Sequence, residues 1–208
     1  MIRLADLRHT AVRTWADSRD SRTLPPRVGA ALPYNIAADC LAGRDEDVVL
    51  VTYDESGSVQ AVLDGAADVR RQVTRGELRE AAARFATMLH ARGVRRGDRV
   101  AVRLAQGLDL ATVVLGTLQA GAVVVTISEV LGDAAMEHRI EDSGAALVIC
   151  GRDQRERTAA AAGGATVLAA GDGWLDGYEP RASFASTTSD DPALLLYTSG
   201  TTGNSKGA

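Results

Sequence analysis

The sequence predicts an α/β fold in which helices cover both faces of a mostly parallel sheet. Three observations predict it. From Thr74 onward, short apolar runs alternate with helical patterns of about a dozen residues, the signature of βαβ crossovers. The apolar runs are rich in β-branched residues and largely lack polar alternation, so they need cover on two faces. Glycines stand where the helical patterns stop.

The elements follow in order. Residues 1–30 are charged, and Pro25 and Pro26 end any helix begun at Ile2; this segment reads as a surface arm. Asn35 can cap a short helix running to Leu41. Val48 to Tyr53 is a strand, followed by a turn at Ser56-Gly57. Val59 to Val73 is ambiguous; a hairpin with Gly65 in its loop fits. Thr74 and Glu77 have capping-box spacing. Leu78, Ala81, Ala82, Phe85, Met88 and Leu89 then recur at helical spacing up to Gly93. After a turn at Gly97-Asp98, RVAVRL (Arg99 to Leu104) alternates as a strand.

A helix of roughly 107–120 feeds a strand at 122–127. The run from Leu110 to Ile127 carries no charge and approaches the length of a membrane span. Its character changes at Gly121, from helix-friendly to β-branched, so a helix followed by a buried parallel strand is the stronger reading. Next come a helix at roughly 132–142 ending at Gly144, a strand Ala146 to Cys150, a helix Arg152 to Ala162 and a strand Ala165 to Ala169. A loop rich in Gly, Ser, Thr and Asp covers 170–190, and Ala193 to Tyr197 is a last apolar strand.

Composition narrows the function classes. The 208 residues carry 23 basic and 27 acidic side chains, a formal net charge of -4. That balance disfavours nucleic-acid binding by bulk electrostatics. A hydrophobic content of 46% excludes wholesale disorder. Cys40 and Cys150 are far apart, have no metal-ligand spacing and suit a reduced, cytoplasmic setting. The charged N-terminus is not a signal peptide. Of the 23 basic residues only Lys206 is a lysine.

The sharpest feature is Tyr197-Thr198-Ser199-Gly200-Thr201-Thr202-Gly203-Asn204-Ser205-Lys206-Gly207-Ala208, directly after the apolar run LLL. Glycines let backbone N–H groups turn toward an anion. Hydroxyls add neutral donors, and a lysine adds a mobile positive charge. After a strand of an open α/β sheet, such a loop suits a polyphosphate. A solvated linker is the bland alternative, disfavoured by the attached apolar strand. The nucleotide-hydrolase loop G-x-x-x-x-G-K-[ST] fails: counted from Gly200, Ser205 stands where glycine is needed and Gly207 where a hydroxyl is needed.

YTSGTTGNSKGA closely resembles the phosphate-binding signature [YF]TSGTTGxPKG[AV] of the adenylate-forming enzymes, which include acyl-CoA synthetases, peptide-synthetase adenylation domains and luciferases. VTRGELREAAARFATMLHARGVRRGDRVAVRL and LGTLQAGAVVVTISEVLGDAAMEHRIEDSGAALVI resemble two upstream family segments. With PYNIAADCL, the wording is closest to the acetyl-CoA and medium-chain acyl-CoA synthetase branch. The resemblance covers about residues 34–208.

The resemblance implies that Thr198, Ser199, Gly200, Thr201, Thr202 and Gly203 wrap the β- and γ-phosphates of ATP, with Lys206 beside them. It implies ATP-Mg2+ and a carboxylic acid as substrates, an acyl-adenylate as intermediate and CoA as the thiol acceptor. It also implies that residues 31–208 are the first part of an AMP-binding domain, with the catalytic residues and metal ligands in a C-terminal part beyond Ala208. On that basis the 208 residues alone are expected to catalyse no adenylation. The last strand is expected to leave an aggregation-prone edge. The alternative is a truncated, non-catalytic homologue that binds nucleotide or a partner. Three positions depart from the pattern: Ser205 replaces proline, Thr126 stands where proline is frequent, and Arg75 (Gly76 in a looser alignment) stands at the aromatic position of the T-[YF]-x-E-L turn.

The remaining polar residues read more plainly. His9, His90 and His138 suit surface or cap roles. Both cysteines read as buried thiols. GRDQRER (Gly151 to Arg157) reads as a solvated helix face, with anion contact a weaker alternative. Asp45, Glu46 and Asp47 form an exposed loop, and Trp174 and Tyr178 pack the loop before the last strand.

Overall fold

The computed structural model describes residues 33–53, 69–198 and 206–207. The expectations for the N-terminal arm, the Ser56-Gly57 turn and Gly65 lie outside the described residues. The chain divides into two compact units, Met1–Ala31 with Val51–Gln72, and Leu32–Leu50 with Val73–Ala208. Strands β1 (Val48–Tyr53) and β2 (Val69–Thr74) pair with each other.

The larger unit opens with α1 (Ile36–Cys40), capped as expected by Asn35, whose side chain accepts the Ala37 N–H at 3.1 Å. Helix α2 (Arg75–Ala91) starts in a complete capping box. The Thr74 hydroxyl accepts from the Glu77 N–H at 3.2 Å, and the Glu77 carboxylate accepts from the Thr74 N–H at 2.7 Å. It ends where Gly93, at φ +79°, lets the N–H groups of Gly93 and Val94 reach back to His90 and Leu89.

Strand β3 (Arg99–Arg103), α3 (Leu108–Gln119), β4 (Val123–Thr126), α4 (Asp133–Ser143), β5 (Leu147–Cys150), a 3₁₀ turn (Arg152–Gln154), α5 (Arg155–Ala160) and β6 (Thr166–Ala169) follow. With β7 (Leu194–Leu195) they build a five-stranded sheet of order β6-β5-β3-β4-β7, parallel throughout. The charge-free run at 110–127 is therefore a helix and a strand. No helix among the described residues is long and apolar enough to cross a membrane.

Strand alternation sends side chains to two packed layers. Val100, Val102, Val124, Leu147 and Ile149 face Phe85, Met88 and Leu89 of α2 and Val113 and Leu118 of α3. Ala101, Val125 and Val148 face Met136 and Ile140 of α4 and Ala161. The α/β class with helices on both faces is thus as the sequence predicts.

Three local expectations are corrected. The helix expected over Arg152 to Ala162 is a 3₁₀ turn and a shorter α5: the Gln154 N–H donates to the Gly151 carbonyl three residues back at 3.1 Å, and Gln154, at φ -96° and ψ -5°, separates the two pieces. Cys40 is exposed rather than buried, because Ala37 and Leu41 are the residues that this one-and-a-half-turn helix turns inward. The last strand divides. Leu194 and Leu195 pair with Val124 and Val125, but β4 ends at Thr126, so the chain leaves the sheet. Tyr197–Thr198 then forms β8, antiparallel to β9 (Lys206–Gly207). β7 is an edge of the described sheet, with Leu194 45% and Leu196 47% exposed.

The loop from β6 to β7 crosses the whole sheet and is tied along the α2–α3 layer. Trp174 packs on Phe85 with ring centroids 5.5 Å apart and donates to Asp109 at 3.2 Å. Arg84 donates to the Tyr178 carbonyl at 2.6 Å, Gln119 to that of Ala182 at 2.7 Å, and Asn35 to that of Ala185 at 3.2 Å. These bonds deliver β7, and the motif that follows it, to the side of β4.

Candidate functional site

Because β7 is parallel to β4, the motif leaves from the same sheet edge as the carboxyl ends of β3, β4, β5 and β6. That is where open α/β sheets take ligands. Of the seven sequence-predicted site residues, Thr198 and Lys206 are described; Ser199, Gly200, Thr201, Thr202 and Gly203 lie outside the described residues. Thr198 and Lys206 are Cα partners in the β8–β9 pair, and Tyr197 is paired with Gly207. The motif thus departs and returns side by side. The glycine after Lys206 has a steric reason. A Cβ there would stand 2.9 Å from Leu195 Cδ1 and 3.3 Å from Tyr197 Cζ.

Tyr197 is held by α4. Its hydroxyl donates to Asp142 Oδ2 at 2.6 Å. The His138 ring meets the tyrosine ring edge-on, 6.4 Å away at 73°, and the Arg139 guanidinium carbon lies 5.6 Å from its centroid. Burial, and next the Asp142 carboxylate, push the phenol up to about 12. Arg139 and Asp142 lie in the segment that carries the family resemblance, three residues apart and so on one helix face. Their partner is more than fifty residues downstream, so no local pattern reveals the contact.

A second feature at this edge was not legible in the sequence. Arg103 is fully buried. One terminal nitrogen donates to Gln154 Oε1 at 2.6 Å and reaches Thr158 Oγ1 at 3.5 Å; the other donates to the Glu129 carbonyl at 2.8 Å. Among the described residues its Nε has no partner and no carboxylate pairs with it. The side chain knots the loops after β4 and β5 together. Cys150, its Cα partner on β5, is buried, and that burial raises its thiol.

The arginine-rich segment after β5 is exposed, as expected. Arg157 pairs with Asp133 at 2.5 Å, and Arg152 donates to the Asp172 carbonyl at 2.8 Å. Asp45 pairs with Arg79, and Asp47 lies 3.8 Å from Arg75.

Comparison with known proteins agrees with this layout. The family described as AMP-binding enzyme matches residues 52–208. Feruloyl-CoA synthase of Amycolatopsis sp. is 38% identical over 136 residues, 65% of this chain and 28% of that protein. Long-chain-fatty-acid–CoA ligase FadD13 of Mycobacterium tuberculosis is 29% identical over 73% of this chain and 32% of its own length. The crystal structure of apo MatB from Rhodopseudomonas palustris superposes with a TM-score of 0.68 at 28% identity, covering 85% of this chain and 34% of that one. The chain therefore spans about a third or less of the proteins that it matches. With a family match over three quarters of its length and the signature YTSGTTGNSKGA following β7 in sequence, the chain belongs to the AMP-binding, adenylate-forming enzymes.

Proposed function

We propose that Thr198, Ser199, Gly200, Thr201, Thr202, Gly203 and Lys206 hold the β- and γ-phosphates of ATP-Mg2+ in a cytoplasmic enzyme that activates a carboxylic acid. The observation that carries this reading is the signature YTSGTTGNSKGA in a chain whose family match runs to the same residues. The donor set suits the ligand. It offers hydroxyls, glycine backbone N–H groups and one ammonium, and it contains no carboxylate to repel phosphate. The magnesium ion enters with the nucleotide.

In the reaction, a carboxylate oxygen of the acid attacks the α-phosphorus. The bond from that phosphorus to the bridging oxygen breaks, leaving acyl-adenylate and pyrophosphate. Negative charge grows on the departing pyrophosphate, and donors already aimed there lower the barrier. The acyl group then passes to a thiol, for which CoA is the reading supported by relatives named as CoA synthases and CoA ligases. Residues 31–208 would be the opening part of the AMP-binding domain, completed by a further C-terminal part.

Thermal unfolding of the 208-residue chain with and without ATP-Mg2+ tests the phosphate site. At a hundredfold excess over Kd, binding adds about 2.7 kcal/mol. The midpoint should rise with ATP-Mg2+ or tripolyphosphate, and Lys206→Ala should abolish the rise. No rise at millimolar nucleotide would overturn the assignment.

A further inference from the structure

We infer that Asp142 is a positioning residue for the phosphate loop, acting through the Tyr197 hydroxyl to fix on α4 the strand pair that the loop leaves from and returns to. The inference rests on the phosphate-loop reading above.

The strand pair cannot hold itself. β8 and β9 have two residues each, too few for independent stability. The preceding β7 is also two residues long and lies at the sheet edge. What fixes the pair is one ring. Tyr197 is the Cα partner of Gly207 and lies close against its backbone, one residue after Lys206. Three groups of α4 converge on that ring: the Asp142 carboxylate on the hydroxyl, the Arg139 guanidinium and the edge of His138. Of these three, the Asp142 contact has the strictest direction, since a charge-assisted hydrogen bond sets both distance and angle. Ring packing tolerates sliding. The carboxylate therefore decides where Tyr197, and with it Thr198 and Lys206, stands relative to the carboxyl edge of the sheet.

α4 in turn is seated by Met136 and Ile140 against Ala101, Val125 and Val148, so the anchor connects the motif to the rigid core. A phenylalanine at 197 would keep the packing and lose the direction.

The test is a double-mutant cycle on the 208-residue chain, reading Kd for ATP-Mg2+ and for inorganic tripolyphosphate by calorimetry. Asp142→Ala and Tyr197→Phe should each weaken both probes about 5- to 10-fold, on the order of one typical net hydrogen bond. The double variant should be no weaker than either single one. Asp142→Asn, which keeps an acceptor, should recover most of the affinity. A merely structural contact would lower the unfolding midpoint and leave Kd alone. Wild-type affinity in Asp142→Ala, or losses that multiply in the double variant, would overturn the inference while leaving the phosphate loop standing. If Asp142→Ala does not fold, Tyr197→Phe decides by itself, and unchanged affinity there is equally fatal. A wild-type chain that binds neither probe would overturn the phosphate-loop reading, and the inference with it.

Discussion

Arg96 and Asp191 form a forked ion pair between the turn before β3 and the residues just before β7. Arg96 Nη2 lies 2.7 and 2.6 Å from the two carboxylate oxygens, Nε lies 3.1 Å from the first, and Nη1 donates to the Ser186 carbonyl at 2.9 Å. The carboxylate also accepts from the Thr188 N–H at 2.6 Å. A planar guanidinium suits this geometry and an ammonium does not. The pair closes the long crossing loop at the point where it must start alongside β4.

This pair should give an acid-sensitive share of stability. The Arg96 bonds first, and the Thr188 N–H next, hold the Asp191 carboxyl below its usual range. A lowered carboxyl stabilises above its unfolded pKa, about 4, and loses that contribution as pH falls through the folded value. Denaturant unfolding should therefore find Arg96→Ala weaker than wild type at pH 7, with the gap closing in acid below about pH 4. A gap that stays constant across that range would show that the carboxylate is not its source.

Tyr197 should act at the opposite end of the pH scale. Its phenol is raised from the ordinary value near 10 to about 12 by burial and by Asp142. A raised group contributes fully below its unfolded pKa, and the contribution fades as pH climbs through the folded one. Wild type should lose stability between about pH 10 and 12 more steeply than Tyr197→Phe. Parallel pH profiles for the two proteins would contradict this.

Gly116 should resist substitution. A Cβ on it would meet the Ala82 carbonyl oxygen at 2.6 Å and Phe85 Cδ1 at 2.8 Å. Its lack of a side chain is what lets α3 approach α2. Despite alanine's better helix propensity, Gly116→Ala should cost about 1–3 kcal/mol, the range for overpacking a filled core. Denaturation midpoints at neutral pH would check it, and a stabilised variant would mean that the two helices separate freely.

These positions also divide what the sequence made legible from what it did not. Elements with local causes were readable. Thr74 with Glu77 start α2, Gly93 ends it, and β-branched Val123 to Val125 form a strand wherever they are buried. The stretch YTSGTTGNSKGA is readable as a family signature, because its residues are contiguous. Contacts made across the fold were not. Asp142 and Tyr197 are joined only once β7 has crossed to the edge beside β4. Arg103 sits in an alternating RVAVRL pattern that says strand but not which face is covered. The division of the last strand after Leu195 depends on where β4 ends, which the LLLYT run does not encode.

The two thiols should differ sharply in reactivity. Cys40 is exposed and Cys150 is buried; both thiols are raised, Cys40 by partial desolvation and the neighbouring Asp39 charge, Cys150 chiefly by burial. Reaction requires the thiolate. Under native conditions one equivalent of iodoacetamide should label Cys40, more slowly than a free model thiol at the same pH. Cys150 should be labelled only at the rate of unfolding. Peptide mapping would assign the label, and rapid modification of Cys150 in folded protein would mean that the β5–α5 junction opens on its own.

Arg103 offers the most discriminating substitution. Its charge is buried without a counter-charge among the described residues, which costs free energy, while its terminal nitrogens satisfy Gln154, Thr158 and the Glu129 carbonyl. Arg103→Ala removes the knot and empties the space, so a loss of about 2–5 kcal/mol is expected, as for other large-to-small core changes. Arg103→Met keeps much of the volume and removes the unpaired charge. It leaves a partly buried carbonyl and a partly buried amide without this donor, each costing up to about 1–3 kcal/mol. The relief of the charge offsets part of this, so methionine should fall between wild type and alanine in unfolding free energy. Methionine as destabilising as alanine would mean that the hydrogen bonds outweigh both volume and charge. Methionine above wild type would mean that burying the guanidinium costs this fold more than its three bonds return.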